Sequence, residues 1–196
     1  RRSVLVIDSG EPRNQPAAHL HGYLSRDGAA PGELRAAGRD EVRRYGGEIV
    51  DARVSEVSRT EDGQFAVQIV GGHRIFARRV IAATGLTDVL PDIDGLAAHW
   101  GREVIHCPFC HGHEFAGTRV GVLGAAAHLP AFVAMVEPIA EEVVVLTGAA
   151  EVDEATVAAL GALGVMVATA PVRGVRREGA GLVVDLAGGE PLVLGG

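Results

Sequence analysis

Residues 106–114 read His-Cys-Pro-Phe-Cys-His-Gly-His-Glu, and the chain's two cysteines, Cys107 and Cys110, both fall inside this stretch as a single C-x-x-C. Two thiols at this spacing, with Pro108 between them, suit the opening and closing of a disulfide. The spacing also predicts that both sulfurs sit at the first turn of a helix, where Pro is tolerated and unpaired N–H groups stabilise a thiolate. Other readings compete. Cys107 to His111 also satisfies the C-x-x-C-H pattern of covalent haem attachment, which would require export. The two thiolates with His106, His111 or His113 could form a structural zinc site, although such sites usually draw a second ligand pair from a distant segment. Two buried core cysteines are the plainest reading, but chance seldom sets both cysteines of a chain at this spacing beside three histidines. The redox dithiol leads.

The rest of the composition narrows what such a site can serve. At 196 residues the chain can bury one large core or two small ones. Its 47% hydrophobic and 22% charged content is that of a soluble globular protein. A net charge of -7 with no basic block argues against nucleic acid and anionic membrane as partners. The uncharged stretches Val120 to Val136 and Ala155 to Val172 lack the sustained Leu/Ile/Phe character of a membrane span. With no signal peptide visible, a cytoplasmic location is expected, where a C-x-x-C is more often catalytic than structural. The chain opens at Arg1 without Met and runs straight into a strand, so it is expected to begin inside a domain.

The elements that must position the dithiol follow from pattern. Val4 to Ile7 is an apolar run ending in Asp8, as in a buried parallel strand whose terminal acid bonds a nucleotide ribose. A plain turn-forming Asp is an equal competitor. Leu34, Ala37, Glu41, Val42 and Tyr45 mark one stripe of a helix from Pro31 to Tyr45, closed by Gly46-Gly47. Short strands are expected around Glu48 to Val54, then a hairpin of Phe65 to Val70 and His73 to Phe76 turned by Gly71-Gly72. Val80 to Ala83 reads as a strand ending in the tight turn Thr84-Gly85. Beyond Trp100 the pattern restarts with strand Arg119 to Leu123, helix Leu129 to Ile139, strand Glu142 to Leu146, helix Val152 to Leu163 and strand Val165 to Ala168. This is a second β-α-β-α-β unit. Val172 to Leu194 reads as short antiparallel strands. The fold class expected is α/β, with two Rossmann-like modules over 1–103 and 104–196.

Taken together, Val4 to Asp8, Arg13-Asn14, His21 to Gly28, Ala83-Thr84-Gly85 and Cys107 to Glu114 resemble the thioredoxin-reductase-like pyridine-nucleotide disulfide oxidoreductases. The resemblance covers nearly the whole length. It implies an FAD module with a small antiparallel β insert, and an inserted NAD(P)-type module carrying the disulfide. The Gly-rich loop and the closing FAD segment would then lie outside these 196 residues. Asp8 would face the FAD ribose, Arg13 and Asn14 would lie along the cofactor, and Val54 would place its backbone near the adenine. Ala83, Thr84 and Gly85 would pass under the flavin side. Cys110 would contact the flavin and Cys107 would attack the external substrate. His111 stands where such reductases usually carry an Asp proton donor, and imidazole can both give and take that proton. The Cys-x-x-Cys-His-Gly version looks like the branch that includes dithiol oxidases.

The second module departs from the pattern. In Gly124-Ala125-Ala126-Ala127-His128-Leu129 only Gly124 fits the phosphate fingerprint, with Ala126 where a glycine lets backbone approach the pyrophosphate and Leu129 where a small residue belongs. Thr147-Gly148-Ala149 then follows the next strand, with neither the acid for NAD nor an Arg pair for NADP. FAD is therefore the expected cofactor and NAD(P)H an open one. The substrate expected is a small-molecule or protein dithiol or disulfide, and a homodimer is left open. A flavin-free remnant that binds a partner or a metal through the cysteine cluster is the alternative.

Overall fold

The first apolar run forms β1 (Leu5–Asp8) in the computed structural model, which describes residues 3–195. Pro31, pre-set for a first helical turn, opens α1 (Pro31–Arg44), with Glu33 in its first turn and Arg43 and Arg44 in its last complementing the helix dipole. Gly46 ends it at φ +80°, its N–H reaching the Arg43 carbonyl at 2.9 Å. The chain returns as β2 (Glu48–Asp51), parallel to β1 with Asp8 opposite Asp51. An antiparallel meander follows: β3 (Val54–Arg59), β4 (Phe65–Ile69) and β5 (Arg74–Ala77). Gly71 and Gly72 turn β4 into β5, both at positive φ.

Two expectations fail here. Tyr45 belongs to no apolar stripe, being 71% exposed at the end of α1. Val80 to Ala83 is not a strand: residues 79–93 carry neither strand nor helix, and Ile81 is 91% exposed. Apolar content suits a strand, but a strand exists only where a neighbour shares its ladder, and none of the described residues does so.

After α2 (Leu96–His99), α3 (Pro108–His111) and a 3₁₀ turn (Gly112–Phe115), the second β-α-β-α-β unit forms. It comprises β6 (Arg119–Leu123), α4 (Leu129–Val136), β7 (Glu142–Leu146), α5 (Glu154–Ala162) and β8 (Met166–Ala168), with a parallel sheet in the order β6-β7-β8. Both helices are shorter than the pattern suggested. Glu137 still has helical backbone, at φ -52° and ψ -42°, but Pro138 has no N–H to continue the ladder, so α4 stops at Val136. Asp153 caps α5, accepting the Thr156 N–H at 2.8 Å and the Thr156 hydroxyl at 2.7 Å. The chain closes with β9 (Val172–Glu178), β10 (Gly181–Leu186) and β11 (Leu192–Leu194), an antiparallel sheet in the order β11-β10-β9.

β7 divides two cores. Its alternate side chains Val143 and Val145 pack with Val122, Leu129, Val133, Val136 and Leu160, while Val144 and Leu146 pack with Leu96, Val175, Leu182, Val184 and Leu194.

The chain falls into two compact units. The first runs up to Gln15 and resumes over Ala29–Asp88; the second joins Pro16–Gly28 to everything from Val89 onward. Residues 89–103 go with the second because Asp94 accepts the Val175 N–H at 2.8 Å and Leu96 lies in the β7 core. From Ala29 onward, the division between the two units falls after Asp88. Each unit is an α/β module: β1-α1-β2 with the antiparallel β3 to β5, and the longer β-α-β-α-β with β9 to β11.

Candidate active site

Cys107 caps α3 in extended backbone, φ -131° and ψ 110°, with Pro108 at the first helical position. The N–H groups of Cys110 and His111 both reach the Cys107 carbonyl, at 3.2 and 3.3 Å. That single turn brings the two Sγ atoms 2.9 Å apart, within thiol hydrogen-bond range. Cys107 is half-buried and Cys110 exposed, and Phe109 between them is 74% exposed. The arrangement holds two thiols where an S–S bond can form. The helix is shorter than expected. One α turn passes into the 3₁₀ turn, so few peptide dipoles align behind the thiols and their helix-terminus stabilisation is correspondingly small.

The histidines of the motif part company. His106 is exposed and faces the Trp100 ring, with centroids 6.0 Å apart. His111 is half-buried, and its Nδ1 and Nε2 are both shut from solvent without a hydrogen-bond partner among the described residues. His113 is exposed, its ring centroid 5.4 Å from that of His21. Among the described residues no three His, Cys, Asp or Glu side chains converge to hold a metal.

His21 had no role in the sequence reading, although its segment carried the resemblance. Its Nε2 lies 3.2 Å from Glu114 Oε1 and its Nδ1 lies 3.5 Å from Asp27 Oδ1. No spacing rule links residues so far apart in sequence, so only the fold reveals the contact.

In the first unit, the expected nucleotide residues gather at the carboxyl end of β1, where open α/β sheets take ligands. Asp8 Oδ1 accepts the Gly10 N–H at 2.9 Å, while Oδ2 accepts from Arg39 Nη1 at 2.6 Å. Arg39 also pairs with Asp51, which chiefly holds its guanidinium above the usual range. Arg13 grips Asp88 through Nε and Nη2. That tie joins the loop after β1 to the segment just past Ala83, Thr84 and Gly85, all three exposed, with Gly85 at φ +66° and open space where a Cβ would stand. Asn14 Oδ1 accepts from Arg35 Nη1 at 3.2 Å. Val54 opens β3, and its neighbour Arg53 pairs with Glu11. Each Asp8 oxygen keeps a lone pair for a ribose hydroxyl. A nucleotide at this edge would therefore find acceptors on Asp8, beside an Arg39 that the sequence pattern gave no sign of.

The fingerprint loop of the second unit is built differently from expectation. Leu129 does not crowd the strand; it is 4% exposed in the core, and a Cβ placed on Gly124 would meet its Cδ1 at an ordinary 3.7 Å. Ala126 and Ala127 are exposed. At the end of β7, Thr147 is buried with its Oγ1 unpartnered among the described residues, and Gly148 and Ala149 both take positive φ.

No protein-family model matches the chain. Over 120 residues it is 38% identical to "Thioredoxin reductase sirT" of Leptosphaeria maculans, spanning 60% of this chain and 37% of that protein. Over 157 residues it is 32% identical to a "Probable thioredoxin reductase" of Arthroderma benhamiae, spanning 77% and 39%. The crystal structure of HlmI superposes with a TM-score of 0.92 at 39% identity, covering 100% of this chain and 63% of that one. The chain thus spans well under half the length of the curated relatives it matches.

Proposed function

We propose that this chain, whose sequence and fold are those of a thioredoxin-reductase-like disulfide oxidoreductase, works within an FAD-dependent enzyme that moves electrons between the Cys107/Cys110 pair and flavin. The observation that carries the reading is the dithiol on one turn of α3, its sulfurs 2.9 Å apart and followed at once by a half-buried imidazole whose ring nitrogens have no partner among the described residues. Asp8, Arg13, Asn14, Val54 and Ala83 to Gly85 would hold the FAD, and bound FAD supplies a two-electron acceptor and donor. The residues do the rest. Cys107 exchanges with the substrate sulfur, Cys110 completes the intramolecular disulfide, and His111 takes the proton of one thiol and returns it when the dithiol reforms.

The substrate class is a dithiol or disulfide, protein or small molecule. A cytoplasmic setting belongs to the same proposal, since a cycling dithiol works against a reducing pool. No helix among the described residues is long and apolar enough to cross a membrane.

The test is a longer protein containing this chain, purified and mixed with a dithiol in the absence of oxygen. A yellow protein whose flavin absorbance bleaches, with bleaching abolished by Cys107→Ser and by Cys110→Ser, is the expected result. A colourless protein that takes up no FAD would leave the cysteine cluster with a binding role instead.

A second reading of the electron partner is favoured by one feature of the second unit. Where a pyridine nucleotide would seat its phosphates and ribose stand exposed Ala126 and Ala127 and, after β7, Thr147 to Ala149 without acid or Arg. Oxygen-driven dithiol oxidation needs no such site.

A further inference from the structure

The loop Pro16–Gly28 lies far from the dithiol in sequence yet belongs to the same compact unit. Its entry is packed, since a Cβ on Gly101 would stand 2.6 Å from Pro16 Cβ, and Ala17 is 9% exposed. Its far end closes on itself through the Gly28 N–H to the Leu20 carbonyl at 2.8 Å and the Arg26 N–H to the Tyr23 carbonyl at 2.9 Å. Between these ends, His21 is the side chain that reaches the redox segment.

We propose that His21 is a positioning residue of the dithiol site, an imidazolium bridge between Asp27 of its own loop and Glu114 of the 3₁₀ turn that continues the cysteine helix. The inference rests on the redox reading of Cys107 and Cys110 above. Two carboxylate oxygens face the two ring nitrogens, Glu114 Oε1 at Nε2 and Asp27 Oδ1 at Nδ1. Carboxylates only accept, so the bridge needs a proton on each nitrogen, and a neutral ring can serve one side at a time. The His21 side chain is 22% exposed and Glu114's is 31%, so the contact is partly shielded from solvent. Asp27 is ready for the role. Its Oδ1 accepts the Gly22 N–H at 2.9 Å, and this bond, opposed by desolvation and reinforced by His21, holds its carboxyl below the usual value.

The charged groups around the ring are Asp27 on its own loop and, on the 3₁₀ turn, Glu114, with the His113 ring 5.4 Å away. Through Glu114 the bridge steadies the 3₁₀ turn that continues the helix carrying Cys110 and His111.

The test needs no flavin, so a failure to bind FAD would sink the preceding proposal and leave this one standing. In the full chain, reduced Cys107/Cys110 are reacted with 4,4′-dithiodipyridine for wild type, His21→Ala, Asp27→Asn, Glu114→Gln and the His21→Ala/Glu114→Gln pair. The expected result is intramolecular disulfide closure slowed roughly fivefold in the single variants, with the double variant no slower than His21→Ala, because both changes remove one contact. If His21→Ala does not fold, Glu114→Gln and Asp27→Asn decide. Closure rates equal to wild type, or losses in the pair that simply add, overturn the proposal.

Discussion

His111 carries the sharpest residue-level expectation. A buried polar atom left without a partner costs about 1–3 kcal/mol, and this imidazole has two such atoms beside a dithiol. A group that repays the cost is one that exchanges protons with the ring during turnover. In the flavin-loaded protein, His111→Ala is expected to slow reduction by dithiol roughly 10²-fold, read by anaerobic stopped flow; a rate unchanged across neutral pH would pass the role to His113. Gly95 shows backbone acting at the same scale. It sits at φ +76° ahead of α2, and a Cβ there would stand 2.1 Å from the Val175 carbonyl oxygen. Gly95→Ala is expected to cost more than about 2 kcal/mol, the left-handed penalty plus a backbone clash, seen as a lowered melting temperature.

Among the elements, α5 depends on its cap. Asp153 takes both donors of Thr156, whose hydroxyl is the leading cause that holds the carboxyl below its usual value. A depressed carboxyl contributes above its unfolded value and loses that contribution as pH falls through the folded one. Asp153→Ala should therefore lower the denaturant midpoint at neutral pH and change it little in strong acid, measured by denaturant melts at the two pH values. The loop between β6 and α4, with the end of β7, bears on the electron partner. A missing charge-assisted contact to phosphate costs about 1.5–3 kcal/mol, and an absent Arg pair forfeits at least two. Affinity for NADPH should thus be weaker by a hundredfold or more, so that nucleotide reduces the flavin slowly or not at all. Bleaching at a rate comparable with dithiol, under sub-millimolar NADPH, would restore the reductase reading.

At the scale of the molecule the two units differ in how they are held. Both β7 cores lie in the second unit, whereas the first buries Ala66, Val67 and Ile69 and leaves Val4, Tyr45, Ile81 and Leu86 largely exposed. Local stability follows such burial. Limited trypsin digestion is expected to cut first in the unpaired stretch after β5, at Arg78 or Arg79, and to leave the chain from Val89 onward as the resistant product. FAD that ties Arg13, Asp88 and the neighbouring Gly85 together should slow those cuts. Cleavage starting within β6 to β8 would contradict this ranking.

Much of this was legible in the chain because its causes are local. Apolar runs set β6 and β7 to the residue, Pro31 and Gly46 bounded α1, and the C-P-x-C spacing placed both thiols on one turn. Asp8 at a strand's carboxyl end was legible too, because the strand that carries it needs only its own apolar run. What the tertiary structure decided were matters of partnership between residues distant in sequence. Val80 to Ala83 has strand composition but no neighbour to share a ladder. Leu129, which looked too large beside the fingerprint strand, found room in the β7 core. Arg39 reaches Asp8 from α1, and His21 joins Glu114 over 93 residues of sequence. Periodicity reports which face of an element is buried, while a salt bridge depends on where two chain segments meet, and that is set only when the whole fold closes.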